Sequence, residues 1–210
     1  FTDARLISPT PAKFTGLANF TRLFGSNTFW HSLLNTVIFA VVIVPVQSGC
    51  ALGLALLVNA KVRGTNFFRT VYFLPVVTSM VVVSMLWMFM YQQNGLINAL
   101  LAKVGIAGPD WLNDPNTALF AIILMSAWQA MGFHMVIWLS GLQTISADLY
   151  EAAALDGATG WQQFVHVTWP GLKQTRTFIL ITITIAAFSL FTQIQIMTQG
   201  GPLDSTSTLV

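Results

Sequence analysis

Four long apolar runs, almost free of fixed charge, limit what this chain can fold into. They lie at about Trp30 to Val58, Phe67 to Gln92, Ala118 to Leu142 and Phe178 to Thr198. The third and fourth contain no Asp, Glu, Lys or Arg. The first has only the charge that His31 can carry, and the second has Arg69 near its start. A helix needs about 20 residues to cross a hydrocarbon core of about 30 Å, and each run reaches that length. The runs are continuous, not alternating segments of about ten residues, so a membrane β-barrel is excluded. Only 8% of the residues are charged, against about 25% in a soluble domain. The expected architecture is an all-α, polytopic transmembrane helical bundle.

Within the runs, Pro45 and Gly49 predict a kink or tilt in the first, and Pro75 sits near the start of the second. Spanning helices tolerate such residues where neighbours re-satisfy the backbone. Trp87 and Tyr91 are placed for an aromatic belt at the membrane interface. Cys50, the only cysteine, excludes an internal disulfide and reads as a small buried apolar residue. The segment Phe14 to Phe24 reads either as a short amphipathic helix at the interface or as a structured loop. Phe1 to Pro11 lacks the basic-then-apolar order of a signal peptide, and both chain ends are expected to be clipped. The net charge of +2, without a basic run, gives no sign of a nucleic-acid partner.

The connection between the third and fourth runs carries a pattern of its own. Ser146 and Asp148 supply helix-start chemistry, Glu151 to Leu155 is strong helix former, and Gly157 is placed for a left-handed cap. A second short helix is expected from about Thr159 to Val167, ending before Pro170. Alanines at 152, 153, 154 and 158 keep the turn slender, a shape suited to insertion into a groove on a partner.

Glu151-Ala152-Ala153, then Asp156-Gly157-Ala158, then Val167-Thr168-Trp169-Pro170 resembles the EAA loop of binding-protein-dependent ABC transporter permeases. That pattern reads E-A-A, three residues, G, nine residues, I-x-L-P. Val167 stands for Ile and Trp169 for Leu. The flanking Gly141 to Tyr150, the Gly200-Gly201-Pro202 turn and Ser205 to Val210 resemble the carbohydrate-uptake branch, the MalF/UgpA-like permeases. The likeness runs from Gly16-Leu17-Ala18-Asn19-Phe20 onward.

The resemblance implies one permease domain over residues 1–210, with about six helices in the full protein and four visible here. It also implies a cytoplasmic coupling loop over residues 141–177. Glu151, Ala152, Ala153, Asp156, Gly157, Ala158 and Pro170 would form the coupling element that docks in an ATPase cleft, Glu151 as an anchor and Gly157 at the sharp turn. Implied partners are a second permease subunit, two ATP-binding subunits carrying ATP and Mg, an extracytoplasmic solute-binding protein and membrane lipid. The implied location is a prokaryotic inner membrane. Charge counting leans the same way by one residue: Lys61, Arg63, Arg69, Lys173 and Arg176 inside, Arg5, Lys13, Arg22 and Lys103 outside.

Candidate path residues are uncharged: Ser126, Trp128, Gln129 and Phe133 in the third run, and Ser189 and Gln193 in the fourth. Ser189 and Gln193, four apart, are expected on one helix face. Hydroxyl, amide and aromatic groups suit a neutral sugar, although in membranes such groups also bond neighbouring helices. A glycerol-3-phosphate or related polyol-phosphate cargo is the alternative, and it would favour a cation that the spans lack. His134 and His166 are too isolated for a metal site. No lysine follows a glycine, so no phosphate loop G-x-x-x-x-G-K-[ST] is present. Hydrolysis is therefore expected on another polypeptide, and no cofactor is expected on this one. A secondary transporter would need ionisable groups in the spans. An intramembrane enzyme would need clustered catalytic residues, and none is identified.

Overall fold

The computed structural model describes residues 2, 13–60 and 65–210. Three residues of the charge count fall outside them: Lys61 and Arg63, expected inside, and Arg5, expected outside. Among the described residues twelve helical segments follow one another. They are α1 (Ala18–Phe24), α2 (Asn27–Asn59), α3 (Thr65–Val77), α4 (Met80–Met90), α5 (Leu96–Lys103), α6 (Ala118–Gln143), α7 (Ala147–Leu155), α8 (Gly160–Gln163), a π-helical turn (Phe164–Thr168), α9 (Trp169–Gly171), α10 (Lys173–Phe188) and α11 (Thr192–Met197). An isolated antiparallel bridge, Thr2 to Phe14, is the single strand-like feature among the described residues. The chain is all-α and membrane-embedded in character. By length and composition α2 and α6 each cross a bilayer, and α3 with α4 makes a third crossing if the bent pair is one span.

Helix α6 is the hub, with α2, α3, α4, α10 and α11 all packed on it. Its inward face runs through Ile122, Met125, Met135 and Trp138, none with appreciable exposure. Lipid is as apolar as these side chains, so close backbone approach does much of the selecting between helices. At Gly132 an added Cβ would run into the Tyr72 carbonyl, which fixes how near α3 comes to α6. At 33 residues, α2 is about 50 Å long, and it runs unbroken through Pro45.

Four expectations need correction. The second run is not one helix: α3 and α4 meet at 101°. Pro75 brings no N–H to the ladder, Thr78 turns its Oγ1 back on the Leu74 carbonyl, and Ser79 is extended. The fourth run is also broken. Helix α10 stops at Phe188, and the chain unwinds before α11. There Ser189 Oγ donates to the Ile185 carbonyl, a local bond that competes with the helix ladder. Trp87 and Tyr91 are buried in protein, not set in a belt, and Tyr91 donates its hydroxyl to the Ala121 carbonyl at 2.9 Å. Cys50 is exposed, on the outward side of α2. The segment before α2 forms helix only over Ala18–Phe24.

The close approach at Gly132 gives a direct test. Gly132→Ala should lower stability by about 1–3 kcal/mol in an SDS unfolding titration from mixed micelles. Gly53→Ala, where a Cβ meets open space, should stay within about 0.5 kcal/mol of the parent.

Candidate functional site

The loop between α6 and α10 is built by its caps. Ser146 begins α7, its Oγ accepting the Asp148 amide. Asp148 in the first turn complements the helix dipole. At the far end Gly157 takes φ +79°. Its amide bonds the Ala154 carbonyl at 3.0 Å and the Ala158 amide bonds Ala153 at 2.9 Å. This pair is the Schellman arrangement, which stops the helix and reverses the chain. Thr159 then opens α8 with a full capping box to Gln162. No residue of α7 is buried: Glu151, Ala152 and Asp156 face outward, Ala153 and Ala158 are half-buried, and Leu155 is 90% exposed.

The second arm differs from expectation. Helix does not end before Pro170 but continues from α8 through the π turn into α9, with Pro170 inside α9. In the π turn the Trp169 amide reaches back five residues to Phe164. The wider turn accommodates a proline that an α-helical ladder would reject. The two arms are joined by Tyr150 Oη and Thr168 Oγ1, 2.9 Å apart. Aromatic rings line the second arm: Trp161 is stacked on Phe164 at 5.5 Å, and Phe164 lies 6.2 Å from Trp169. The Arg176 guanidinium covers the Trp169 ring at 4.4 Å.

The candidate path residues do not converge on one cavity. Ser126 is buried, and its Oγ has no partner among the described residues. Gln129 is committed to packing, its Nε2 donating to the Pro75 carbonyl at 3.3 Å where α3 gives way. Trp128 lies 5.4 Å from Trp87 and lines an open groove of about 320 Å³ beside the bend, with Pro75, Thr78, Val82 and Leu86. Phe133 is exposed on the outer side of α6. Ser189 and Gln193 do not share a helix face, because the break falls between them. Gln193 is half-buried in α11.

The sequence did not reveal several polar contacts that shape the bundle. Gln47 Nε2 meets His134 Nδ1 at 2.8 Å between α2 and α6. Asn35 Nδ2 holds the Asp204 and Ser207 carbonyls, and the Leu209 amide donates to Thr36 Oγ1. These tie the chain's last residues to α2. Thr208 Oγ1 donates to the Leu190 carbonyl in the α10–α11 break. Each pair is far apart in sequence, and no local spacing signals it.

The described residues form an apolar helical bundle with a capped loop between α6 and α10, and comparison with known proteins gives the family. The profile of the binding-protein-dependent transport system inner membrane component matches residues 15–210. The chain belongs to this family. It is a multi-pass permease component of an ABC importer that works with an extracytoplasmic binding protein. It is not itself catalytic, and in this family ATP is hydrolysed on a separate subunit.

Among its relatives, the lactose transport system permease protein LacF of Rhizobium radiobacter is 42% identical, over 94% of this chain and 68% of that protein. The trehalose/maltose transport system permease protein MalF of Thermococcus litoralis is 34% identical, over 99% and 70%. The sn-glycerol-3-phosphate transport system permease protein UgpA of Agrobacterium fabrum is 37% identical, over 95% and 68%. A bacterial alginate ABC transporter, crystallised with an alginate-pentasaccharide-bound periplasmic protein, has a chain that superposes with a TM-score of 0.80. It is 25% identical, over 91% of this chain and 67% of that one.

The left-handed cap makes a local prediction. Gly157→Ala places a Cβ in the αL region at about 1–2 kcal/mol, so exchange of the Ala158 amide should quicken roughly 5- to 30-fold. Gly160→Ala, at an open position without a positive φ, should leave that rate unchanged.

Proposed function

We propose that this chain is one half of the translocation path of a sugar importer, coupled to its ATPases through the loop over residues 141–177. The observation that carries the coupling role is the doubly capped α7–turn–α8 unit, which exposes Glu151, Ala152, Asp156 and Gly157 and leaves Ala153 and Ala158 half-buried. Glu151 anchors the docked loop, Gly157 provides the reversal, and Pro170 marks the return toward α10. In this reading the loop is cytoplasmic, and each broken helix pair crosses the membrane once, which gives four spans. A second permease subunit completes the path, and two ATP-binding subunits seat one coupling loop each.

A neutral mono- or oligosaccharide is the favoured cargo. Relatives are named for lactose and for trehalose and maltose transport, and the spans carry almost no fixed charge. Within the carbohydrate-uptake branch these relatives support a MalF-like reading. Ser126, Trp128, Gln129, Phe133, Ser189 and Gln193 are the candidate path residues. Trp128 at the bend groove and Ser189 and Gln193 around the α10–α11 break are the best placed to meet a passing ring, whereas Gln129 is already bonded. The UgpA relative favours a second reading, glycerol-3-phosphate or a related polyol phosphate, with the needed cation supplied by another subunit.

The test is cysteine crosslinking in the assembled transporter. Cys50→Ser is required as background because that thiol is exposed. Ala153→Cys, paired with single cysteines around the ATPase cleft, should give a crosslink that changes with bound nucleotide. Absence of any crosslink in an assembled, inserted complex would overturn the coupling role. Uptake into proteoliposomes should be competed by neutral disaccharides; competition by glycerol-3-phosphate alone would establish the second reading.

A further inference from the structure

We propose that Tyr150, Trp169 and Arg176 are positioning residues for energy coupling, locking both arms of the loop to the first turn of α10 so that they move as one lever. The inference rests on the coupling role proposed above and adds how a displacement leaves the loop. The structure holds two weak places between α7 and α10. One is the π turn over Phe164–Thr168, whose ladder reaches over five residues. The other is Leu172, which closes α9 and opens α10 with φ −84° and ψ 8°. Both are sites where helix geometry changes, and a push on α7 would be absorbed there unless the flanking segments were tied sideways.

Two ties bridge these two places, and a third contact closes the root of the loop. The Tyr150 and Thr168 hydroxyls, 18 residues apart in sequence and 2.9 Å apart in space, join α7 to the end of the π turn. Thr168 is buried and Tyr150 half-buried, so this bond is partly shielded from competing water. The Arg176 guanidinium over Trp169 spans Leu172 and joins α9 to α10, a contact that aromatic and guanidinium faces favour. At the root, Gly141 at the end of α6 leaves no room for a Cβ against the Thr175 side chain, so the neck of the loop is closed. Leu172 itself is fully buried there. Arg176 was read above as one of the basic residues marking the cytoplasmic side; a residue with that role alone would need only its charge, not a ring beneath it.

The experiment measures transport per ATP hydrolysed in the complete, reconstituted transporter. Arg176→Gln and Trp169→Leu should each lower that ratio about threefold or more, the size of effect that loss of a coupling contact gives. The double variant should be no worse than either single one, because both remove the same contact. Arg176→Lys and Trp169→Phe, which keep a cation and a ring, should retain most of it. Tyr150→Phe removes a single oxygen and should lower the ratio in the same direction, even if the larger changes impair assembly. An unchanged ratio in Tyr150→Phe and Arg176→Gln, or additive losses in the double variant, would overturn the lever. The Ala153→Cys crosslink in the otherwise unaltered loop separates the two proposals. If it is missing there, the docking role fails and takes the lever with it. If it is present with an unchanged ratio, only the lever fails.

Discussion

The rest of the structure depends on the rule that a backbone carbonyl freed inside the membrane must find a partner in the protein, since lipid offers none. At two helix breaks a side chain from a distant segment bonds such a carbonyl, and at Pro75 it joins the local Thr78 amide. Gln129 on α6 reaches Pro75 at the α3–α4 bend, and Thr208 in the last stretch of the chain reaches Leu190 at the α10–α11 break. The second bond needs support of its own. Asn35 and Thr36 on α2 hold the segment that carries Thr208. Each break is therefore also a reason for two elements to pack. In a bundle whose surroundings are as apolar as its core, such bonds and close approaches like Gly132 on Tyr72 set the arrangement of helices.

The same rule divides the bundle into a frame and two jointed elements. Helices α2 and α6 run unbroken and pack on each other, with Gln47 meeting His134 between them. The jointed pairs, α3 with α4 and α10 with α11, lie against this frame, and α11 also packs on α4. A joint held by two side-chain bonds opens at modest cost, because each such bond in membrane proteins contributes on average only about 0.6 kcal/mol. An intact helix has no such point of compliance.

What the sequence made legible follows from the range over which each interaction acts. Apolar runs, the Ser146 start, the Gly157 stop and the exposed α7 depend on neighbours within a turn, and they are where the residues place them. The helix breaks were half-legible: Pro75 and Ser189 lie at them, yet proline alone does not decide, because Pro45 sits inside an unbroken α2. The difference lies in partners. Thr78 and Gln129 converge on the Leu74 and Pro75 carbonyls, and nothing local to Pro75 announces Gln129. Tyr150 with Thr168, and Gln47 with His134, were illegible for the same reason. Cys50 and Tyr91 were misjudged because an apolar run does not reveal which of its faces meets lipid.

The loop proposed above for coupling has two roots of unlike character. It leaves the end of α6, a helix without a break and the hub of the bundle, and returns into α10, whose ladder gives way after Phe188. A displacement entering at α6 would have to shift everything packed on it. Entering at α10, it meets a segment of 16 residues with a joint at its far end, where Ser189 and Gln193 flank the unwound turn. The compliant route from the loop therefore ends at Ser189 and Gln193, two of the residues proposed above for the path. The ties from Tyr150 through Trp169 to Arg176 favour that route because they bypass the two soft points, the π turn and Leu172, at which motion would otherwise be lost.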